Sequence, residues 1–428
     1  MRLHHLVYAA GVWLLTGCSS SDGLSPATND DPNDLLKPPP AGQGIQLKMV
    51  STIAPGQEIE RCKFFQVPAG GLNVNEAVVR YVAGSHHVLL YRTSHTSIPT
   101  ATRDGKAITP DENGVFDCAE GAAADWDVTG VVAGAQSSKA KNAATFPPGV
   151  AAKLPAGMVL VINTHYLNAT AKPLIAEARL NLMTLPDKDV VHEGGFLFYY
   201  NPFIRVPARS SASSRLRCTL PQDINLISGQ SHMHRRGVGY TANVVEPGGA
   251  TLTQIYESHD WEDVPIADWS PGMTLRAGQS IDYTCYYQNS EDRQVAQGAT
   301  TKDEMCMFLG NYYPRNEELE NCGIGSGAGG PTYIGTGTAD GKTTLQCISK
   351  YAGNDATAGE FYGCVQDSCP AIGDQVTGHL KCQVMQTSEA GGCAASCGPP
   401  AGSPEACRAC VTTACGPAIA ALNSATCD

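Results

Sequence analysis

The sequence has few charged residues and no long amphipathic runs. Only 16% of its 428 residues are charged, against the ~25% of an average soluble protein. Lysine and arginine (29) are outnumbered by aspartate and glutamate (41), giving a formal charge of -12 and a pI near 5.4. This balance argues against nucleic-acid binding, which depends on clustered cations. Long stretches with the 3.6-residue period of a helix are also missing, which excludes a coiled coil.

The composition instead favours short strands and many turns. Hydrophobic residues make up 42% of the chain, and its 45 glycines and 27 prolines make up about 17%, against the usual ~12%. From about residue 44 to 322, short apolar or alternating runs such as 77–82 and 159–162 are separated by Gly, Pro and Asn. The pattern predicts an all-β architecture. We expect two tandem antiparallel β-sandwich domains of jelly-roll type at 44–189 and 190–330, joined near Leu185–Gly194.

Seventeen cysteines are hard to reconcile with a reducing cytosol. Ten of them lie between Cys347 and Cys427, which predicts a small disulfide-rich C-terminal module over residues 340–428. Zinc binding by Cys407-x2-Cys410 is the alternative interpretation. The module could bind a protein partner, clamp the fold or act as a spacer.

The N-terminus carries an export signal. Arg2 precedes the apolar run Leu6–Leu15, which is too short to span a bilayer stably. The following segment, Leu15-Thr16-Gly17-Cys18, resembles the lipobox of bacterial lipoproteins. The resemblance implies cleavage of a signal peptide at 1–17, lipidation of Cys18, and a Pro- and Ser-rich tether over 18–43. An ordinary signal peptide is the alternative.

Lipidation of Cys18 would leave sixteen cysteines, an even number that can pair completely. The resemblance to bacterial lipoproteins, with Ser19 and Ser20 after the lipid-bearing cysteine, implies an exported protein that is lipid-anchored to the outer membrane of a Gram-negative bacterium, on its periplasmic or surface face. The lipid would be its only contact with the membrane.

Five histidines lie in three short contexts that could bind a metal ion. In Ser231–His234, His232 and His234 leave the same face of a strand, about 6.6 Å apart at ~3.3 Å rise per residue. His86 and His87 would point to opposite faces of a regular strand, so both could reach one metal only at a bulge or a strand end. The third context, residues 163–166, contains His165.

These histidines occur in a characteristic order with a downstream Asp303-Glu304-Met305-Cys306 segment, and Cys285 lies in the preceding run 282–289. The ordered set resembles the copper type II, ascorbate-dependent monooxygenases, the family of dopamine β-monooxygenase and peptidylglycine α-hydroxylating monooxygenase. The likeness extends from about residue 50 to 320.

The resemblance implies two coppers per chain, held in two β-sandwich domains across a solvent-filled cleft. Three imidazoles would hold an electron-transfer copper: His86, His87 and His165. Two imidazoles and a thioether would hold the copper at which O2 reacts, and are the implied catalytic residues: His232, His234 and Met305. The donor chemistry agrees with these roles, because a thioether is soft and prefers Cu(I), whereas three imidazoles stabilise both oxidation states. A blue-copper site is disfavoured because no cysteine has the required spacing.

The implied reaction hydroxylates a C–H bond of a small or peptidic extracytoplasmic substrate. It consumes O2 and electrons from ascorbate or another one-electron reductant. The resemblance also implies three disulfides: Cys62–Cys118, Cys285–Cys306 and Cys218–Cys322.

The sequence departs from the peptide-amidating members at the positions that hold the substrate carboxylate. Those positions carry Gln230, Met307 and Leu309 here. Because an unpaired carboxylate in an apolar site is costly, we do not expect a peptide with a C-terminal glycine as substrate. Three acids could bind an amine or could be solvated loop charges: Asp260, Glu262 and Asp263. We assign no metal role to the remaining histidines: His95, His192, His259 and His379.

Three functions are therefore open. The first is a lipid-anchored copper monooxygenase. The second is a copper-binding or copper-buffering lipoprotein that kept the ligands but lost turnover. The third is a metal-free adhesive sandwich whose Cys-rich tail binds a partner.

Overall fold

A computed structural model describes residues 36–82, 84–118, 122–136, 142–298, 300–324, 330–351, 358–388, 390–398 and 402–428. The predicted signal peptide at 1–17, the predicted lipid-bearing Cys18 and most of the tether lie outside these residues. None of the helices in the described part of the chain combines the length and the apolar character that crossing a bilayer requires.

The first half of the structure is built from strands that form two sheets. They are β1 (Gly44–Ile53), β2 (Glu58–Gln66), β3 (Leu72–Tyr81), β4 (Ser85–Thr93), β5 (Phe116–Asp117), β6 (Val128–Ala135), β7 (Asn142–Thr145), β8 (Val150–Leu154), β9 (Val159–Leu167), β10 (Leu174–Thr184) and β11 (His192–Glu193). Sheet I has the order β1-β10-β3-β8-β11, with β7 also paired to β3, and sheet II has the order β5-β2-β9-β4-β6. The pairings are antiparallel except β8–β11.

The second half continues with strands that form two further sheets and a short ribbon. They are β12 (Gly195–Tyr200), β13 (Arg205–Val206), β14 (Ser211–Thr219), β15 (Ile224–His232), β16 (Gly237–Val245), β17 (Thr251–Ser258), β18 (Ala267–Leu275), β19 (Ser280–Gln288), β20 (Val295–Ala296), β21 (Met307–Tyr313) and β22 (Pro331–Ile334). Sheet III has the order β12-β21-β15-β18, sheet IV has the order β17-β16-β19-β14-β22, and β13 pairs with β20.

Hydrophobic clusters join neighbouring sheets. Sheets I and II share one cluster, with Leu180 and Val79 from sheet I and Leu90 from sheet II, and sheets III and IV share another. A third cluster lies between sheets II and III, where Tyr91 and Val161 meet residues of β12 and β21. Both faces of sheet II are therefore covered, which explains why β9 is a continuous buried run instead of an alternating one.

The C-terminal region is helical, a departure from the predicted all-β architecture, although the prediction of a mainly β protein is confirmed. Its helices are α3 (Gly341–Tyr351), α4 (Ala358–Gln366), α5 (Gly373–Thr387), α6 (Ala394–Cys397), α7 (Pro404–Ala414) and α8 (Gly416–Asn423), after the short α1 (Ala122–Asp125) and α2 (Glu317–Glu320). Ile348 and Leu422 belong to the same core as sheets III and IV. The cysteine spacing did not indicate helices, because it specifies neither the connectivity of the disulfides nor the secondary structure between them.

Eight disulfides pair all sixteen cysteines other than Cys18. The β region contains the three pairs that the resemblance implies: Cys62–Cys118, Cys218–Cys322 and Cys285–Cys306. The helical region contains five: Cys347–Cys364, Cys369–Cys427, Cys382–Cys415, Cys393–Cys410 and Cys397–Cys407. Cys407 and Cys410 are thus oxidised and offer no thiolate, which excludes the alternative of zinc binding at this pair.

Candidate metal centre

Strand register brings three potential ligands together on one face of sheet II. In the adjacent strands β2, β9 and β4, Glu60 lies opposite His165, and His165 lies opposite His87. Directly opposed residues have Cβ atoms only ~4.5–5.5 Å apart. All three side chains are buried, and their ligand atoms lie within 4.8 Å of one another. We call these residues the sheet II cluster.

His86 also lies in β4, but its side chain is outside the described structure. The pairing of β4 with β9 shifts register between Ser85 and His87. His86 therefore occupies the irregular position where a bulge can re-aim a side chain. This is the backbone feature that binding of both adjacent histidines to one metal would require.

Glu58 fixes the orientation of His165 from outside the cluster. One oxygen of its carboxylate contacts Nε2 of His165 at 3.0 Å and accepts hydrogen bonds from the backbone N–H and hydroxyl of Thr301 at 3.1 and 2.7 Å. Burial opposes ionisation of Glu58, but the hydrogen bonds from Thr301 together with the neighbouring His165 outweigh it, so the pKa of this carboxyl is lowered. Burial lowers the pKa of His165 and so favours the neutral imidazole that metal binding needs.

The second pair of histidines lies at the end of β15 in sheet III. The rings of His232 and His234 have centroids 5.3 Å apart, and both are buried. Glu304 is fully buried and accepts hydrogen bonds from the backbone N–H groups of His234 and Arg236, at 3.0 and 2.9 Å. Burial raises the pKa of Glu304 to about 7, although these bonds and Arg236 act in the opposite direction.

Met305 lies between Glu304 and the Cys285–Cys306 disulfide. The hydroxyl of Tyr287 donates to its backbone carbonyl at 2.8 Å. Its side chain is partly buried against the cluster between sheets II and III and lines the same cavity as His232. The disulfide, the tyrosine and the buried glutamate thus hold this segment beside the second pair of histidines. We call His232, His234 and Met305 the sheet III cluster.

The two clusters approach each other closely, so the expected solvent-filled cleft between them is wrong for this structure. The rings of His87 and His232 have centroids only 5.8 Å apart, similar to the 5.4 Å between His87 and His165. Gln136, which follows β6, spans the gap: its Oε1 lies 2.5 Å from Nδ1 of His232 and its Nε2 donates to the carbonyl of Ser231. Sheets II and III meet here through a shared hydrophobic cluster, which brings His87 and His232 together.

The donors that the structure brings together fit copper. Metal-binding histidines usually use their second ring nitrogen to hold a carboxylate, carbonyl or amide. Here Nε2 of His165 contacts Glu58, and Nδ1 of His234 contacts the carbonyl of Asp303 at 3.1 Å. A metal would therefore bind His165 through Nδ1, and His232 and His234 through Nε2. Imidazole and thioether donors in a buried setting suit copper.

Replacing Gln136 with leucine is expected to weaken Cu(I) binding at the sheet III cluster by ~10–100-fold, the usual effect of losing an outer partner of a ligand. Gln136 has this effect because its amide fixes the ring of His232. Competition with a Cu(I) chelator measures the change. Gln254→Leu, at an exposed position on β17, is the matched control. Equal Cu(I) affinity in Gln136→Leu and wild type would contradict this role.

A cavity of about 320 Å³ opens between sheets II and III beside both clusters. Its walls are largely apolar and include Trp126, Phe198, Tyr200, Met307 and Leu309. The polar groups on its walls are His87, His232, Glu60, Gln136, Asn163, Asn321 and Arg103. Arg103 is largely exposed and pairs with Asp127 at 3.0 Å. The cavity thus offers a bound molecule an apolar environment and brings it to the two histidine clusters.

The other sequence candidates lie away from this cavity. Asp260 accepts hydrogen bonds from the backbone N–H groups of Glu262 and Asp263, both at 2.9 Å, so its carboxylate stabilises its own turn. Three of the other histidines also have placements unrelated to the clusters: His192 packs on Tyr313, His259 pairs with Glu257, and His379 is buried on α5. His95 likewise does not line the cavity.

Three residues at the site were not predicted from the sequence: Glu58, Glu60 and Gln136. The alternation of acids before Cys62 places Glu58 and Glu60 on one face of a strand. Nothing in the sequence indicates that this strand pairs with the strand of His165. Gln136 reaches the site from a loop, and loop residues leave no periodic signal.

Comparison with known proteins finds a family match for part of the chain, within the region of sheets III and IV. Residues 199–327 match the family model described as "Copper type II ascorbate-dependent monooxygenase, C-terminal domain". Among solved structures, the chain is similar to the major capsid protein P2 from bacteriophage PM2, at 9% identity, covering 63% of this chain and 99% of that one, with a TM-score of 0.25. It is also similar to the coconut allergen cocosin, at 10% identity, covering 76% and 89%, with a TM-score of 0.14.

Proposed function

Because the chain belongs to the copper type II ascorbate-dependent monooxygenase family, we propose that it hydroxylates a C–H bond of an uncharged, largely apolar substrate, using O2 and a one-electron reductant such as ascorbate. The observation that carries this proposal is the apolar cavity, which reaches His87 of one cluster and His232 and Met305 of the other. A substrate in the cavity would lie beside both clusters.

In this proposal two coppers bind, one at each cluster. His87 and His165, with His86, would hold the electron-transfer copper, and His232, His234 and Met305 would hold the copper at which O2 reacts. When bound, copper supplies one-electron redox chemistry and activation of O2. The protein's own contribution is positioning: Gln136 and Glu58 orient the imidazoles, and the Cys285–Cys306 disulfide holds the Met305 segment.

The cavity walls are largely apolar, and Arg103, the cation among the lining residues, already pairs with Asp127. Met307 and Leu309 lie opposite His232 and Gln230 in the pairing of β21 with β15. Met307 and Leu309 stand at two of the three positions where the peptide-amidating members hold a substrate carboxylate. In this protein both are apolar side chains on the cavity wall. Burying a charge there without a partner is unfavourable.

Neutral aromatic or aliphatic substrates are expected to exceed matched carboxylates in kcat/KM by at least ~10–100-fold, since an unsatisfied buried polar group costs about 1–3 kcal/mol. Pairs of substrates that differ only by a carboxylate and its amide would measure the ratio. Equal kcat/KM within each pair, or a preference for the acid, would contradict the proposed substrate class.

Two measurements test the function itself. The lipid-free mature protein is expected to bind two copper equivalents and, with ascorbate and a neutral substrate, to consume O2 in proportion to hydroxylated product. The alternative, a non-catalytic copper-buffering lipoprotein, predicts the same copper content without product. A cavity beside both clusters favours the enzyme, because copper storage requires no substrate cavity.

We also propose a cellular location and a domain organisation for the protein. Export and lipid anchoring at Cys18 are supported by the N-terminal sequence. Two tandem sandwich domains of jelly-roll type, at 44–189 and 190–330, are supported by the pairing of sheets I with II and III with IV. The helical module over 340–428 is a candidate docking element for a protein partner.

A further inference from the structure

We propose that the Glu60 carboxylate is an additional ligand of the metal centre formed by His87 and His165. This inference rests on the proposed copper function and extends it, because the resemblance implies only imidazole ligands at this centre. It makes the first copper site a mixed imidazole–carboxylate site.

The geometry comes from strand register. Glu60, His165 and His87 lie side by side on three neighbouring strands, and their ligand atoms fall within 4.8 Å of one another. Side chains in such a row lie on one face of a sheet. A single ion placed among these atoms could contact all three residues. A metal ion bound by His87 and His165 would therefore lie next to the Glu60 carboxylate.

The electrostatic setting of Glu60 is a second and independent observation. Its side chain is 8% exposed. Within the described ranges it forms no ion pair with lysine or arginine, and its side-chain hydrogen bond comes from Asn163, at 2.7 Å to Oε2. A nearby charge comes from the carboxylate of Glu58, which is also negative and therefore does not compensate Glu60. Buried carboxylates are generally paired with cations or bind metals, and a cupric ion would supply the missing positive charge.

Asn163 holds the carboxylate in place. Its Nδ2 donates to Glu60 and also lies 3.5 and 3.4 Å from the sulfur atoms of the Cys62–Cys118 disulfide. One amide group therefore connects the acid to a covalent crosslink in the same sheet. Hydrogen-bond partners of this kind are typical of side chains that bind a metal, because they hold the side chain in its binding conformation before the metal arrives.

The added carboxylate changes the chemistry of the centre. Carboxylate oxygen is a harder donor than imidazole, and it favours Cu(II) over Cu(I). We therefore expect the first centre to hold Cu(II) more tightly than an all-imidazole centre would. A centre with a lower potential is a stronger one-electron donor to the second copper.

The test compares Glu60→Gln with wild type, using Cu(II) and Cu(I) alone as probes. Glutamine keeps the shape and an acceptor for Asn163 but removes the charge. We expect Cu(II) affinity at this centre to fall by at least ~10-fold, by analogy with changes at metal-supporting residues, with Cu(I) affinity changing far less. A tenfold change in the affinity ratio raises a one-electron potential by ~59 mV. The Cu(II) EPR spectrum of this centre should also change.

Glu58→Gln is the matched control. Glu58 lies on the same face of β2 as Glu60, and its carboxylate contacts Nε2 of His165, the ring nitrogen that would not bind the metal. This control variant is expected to alter the copper affinity of the centre but to keep the features of the Cu(II) EPR spectrum that come from the Glu60 oxygen ligand. His234→Ala in both variants would isolate the spectrum of the first centre. If that background does not fold, difference spectra of the two-copper proteins provide the same comparison.

Unchanged EPR parameters and an unchanged Cu(II)/Cu(I) affinity ratio in Glu60→Gln would overturn the inference, even if the wild type hydroxylates substrate. An altered spectrum and ratio in a wild type that forms no hydroxylated product would support the inference and overturn the proposed enzymatic function. The experiment therefore distinguishes failure of the Glu60 assignment from failure of the proposed hydroxylation activity.

Discussion

Replacing Met305 with isoleucine is expected to eliminate hydroxylated product while leaving the fold and the first copper centre in place. Isoleucine has a similar volume but lacks the thioether, the soft donor that stabilises Cu(I) where O2 reacts. The segment should keep its position, because the Cys285–Cys306 disulfide and the bond from Tyr287 to the backbone of residue 305 do not involve the side chain.

Two measurements check this prediction. Product would be quantified by mass spectrometry under saturating ascorbate, and Cu(I) affinity by chelator competition. We expect the amount of product to fall by more than the ~10–100-fold loss that follows replacement of a residue that only supports a metal ligand. Met273→Ile, on β18 and packed against the core of sheets III and IV, is the control that should keep activity. Turnover by Met305→Ile at the rate of this control would rule out Met305 as a ligand.

Removing the Cys218–Cys322 disulfide is expected to cost about 4–5 kcal/mol of the free energy of unfolding. The bond closes a loop with a sequence separation of 104 residues, and the chain-entropy estimate for a loop of about 100 residues is about 4.7 kcal/mol. Both cysteines are buried in the core that sheets III and IV share with the C-terminal helices. Alanine at both positions would therefore also leave a small packing defect.

Chemical denaturation of the double variant Cys218→Ala/Cys322→Ala, monitored by the near-UV signal of the buried tyrosines, measures the loss. The control is Cys397→Ala/Cys407→Ala, whose sequence separation is only 10 residues. By the same estimate this short loop contributes about 3 kcal/mol or less. A larger loss in the control than in the Cys218–Cys322 variant would show that loop entropy does not govern the stability of this region.

The helical C-terminal region has a structural role that its sequence did not reveal. Gln366 donates to the carbonyl of Ser213 at 2.7 Å and accepts from the backbone N–H of Arg205, and Phe203 packs against Tyr362 with ring centroids 6.0 Å apart. The region is thus attached to sheet IV and to strand β13, and it shares a hydrophobic core with sheets III and IV. It stabilises the half of the protein in which His232, His234 and Met305 lie.

The sequence by itself was enough to predict the mainly β character, the family resemblance and a set of candidate copper ligands. These follow from local features: short apolar runs, and residue types such as His232-Met233-His234 and Asp303–Cys306 in a fixed order. Cysteine parity also indicated complete pairing once Cys18 is set aside, as the eight disulfides show.

Only the tertiary structure decided which residues surround those ligands. Glu60 meets His165 because β2 pairs with β9 in one particular register, over a sequence separation of about 100 residues. Gln136 meets His232 because sheets II and III pack on each other. A single sequence carries no record of such pairings, since the local pattern of a strand specifies which face is buried but not which strand lies beside it.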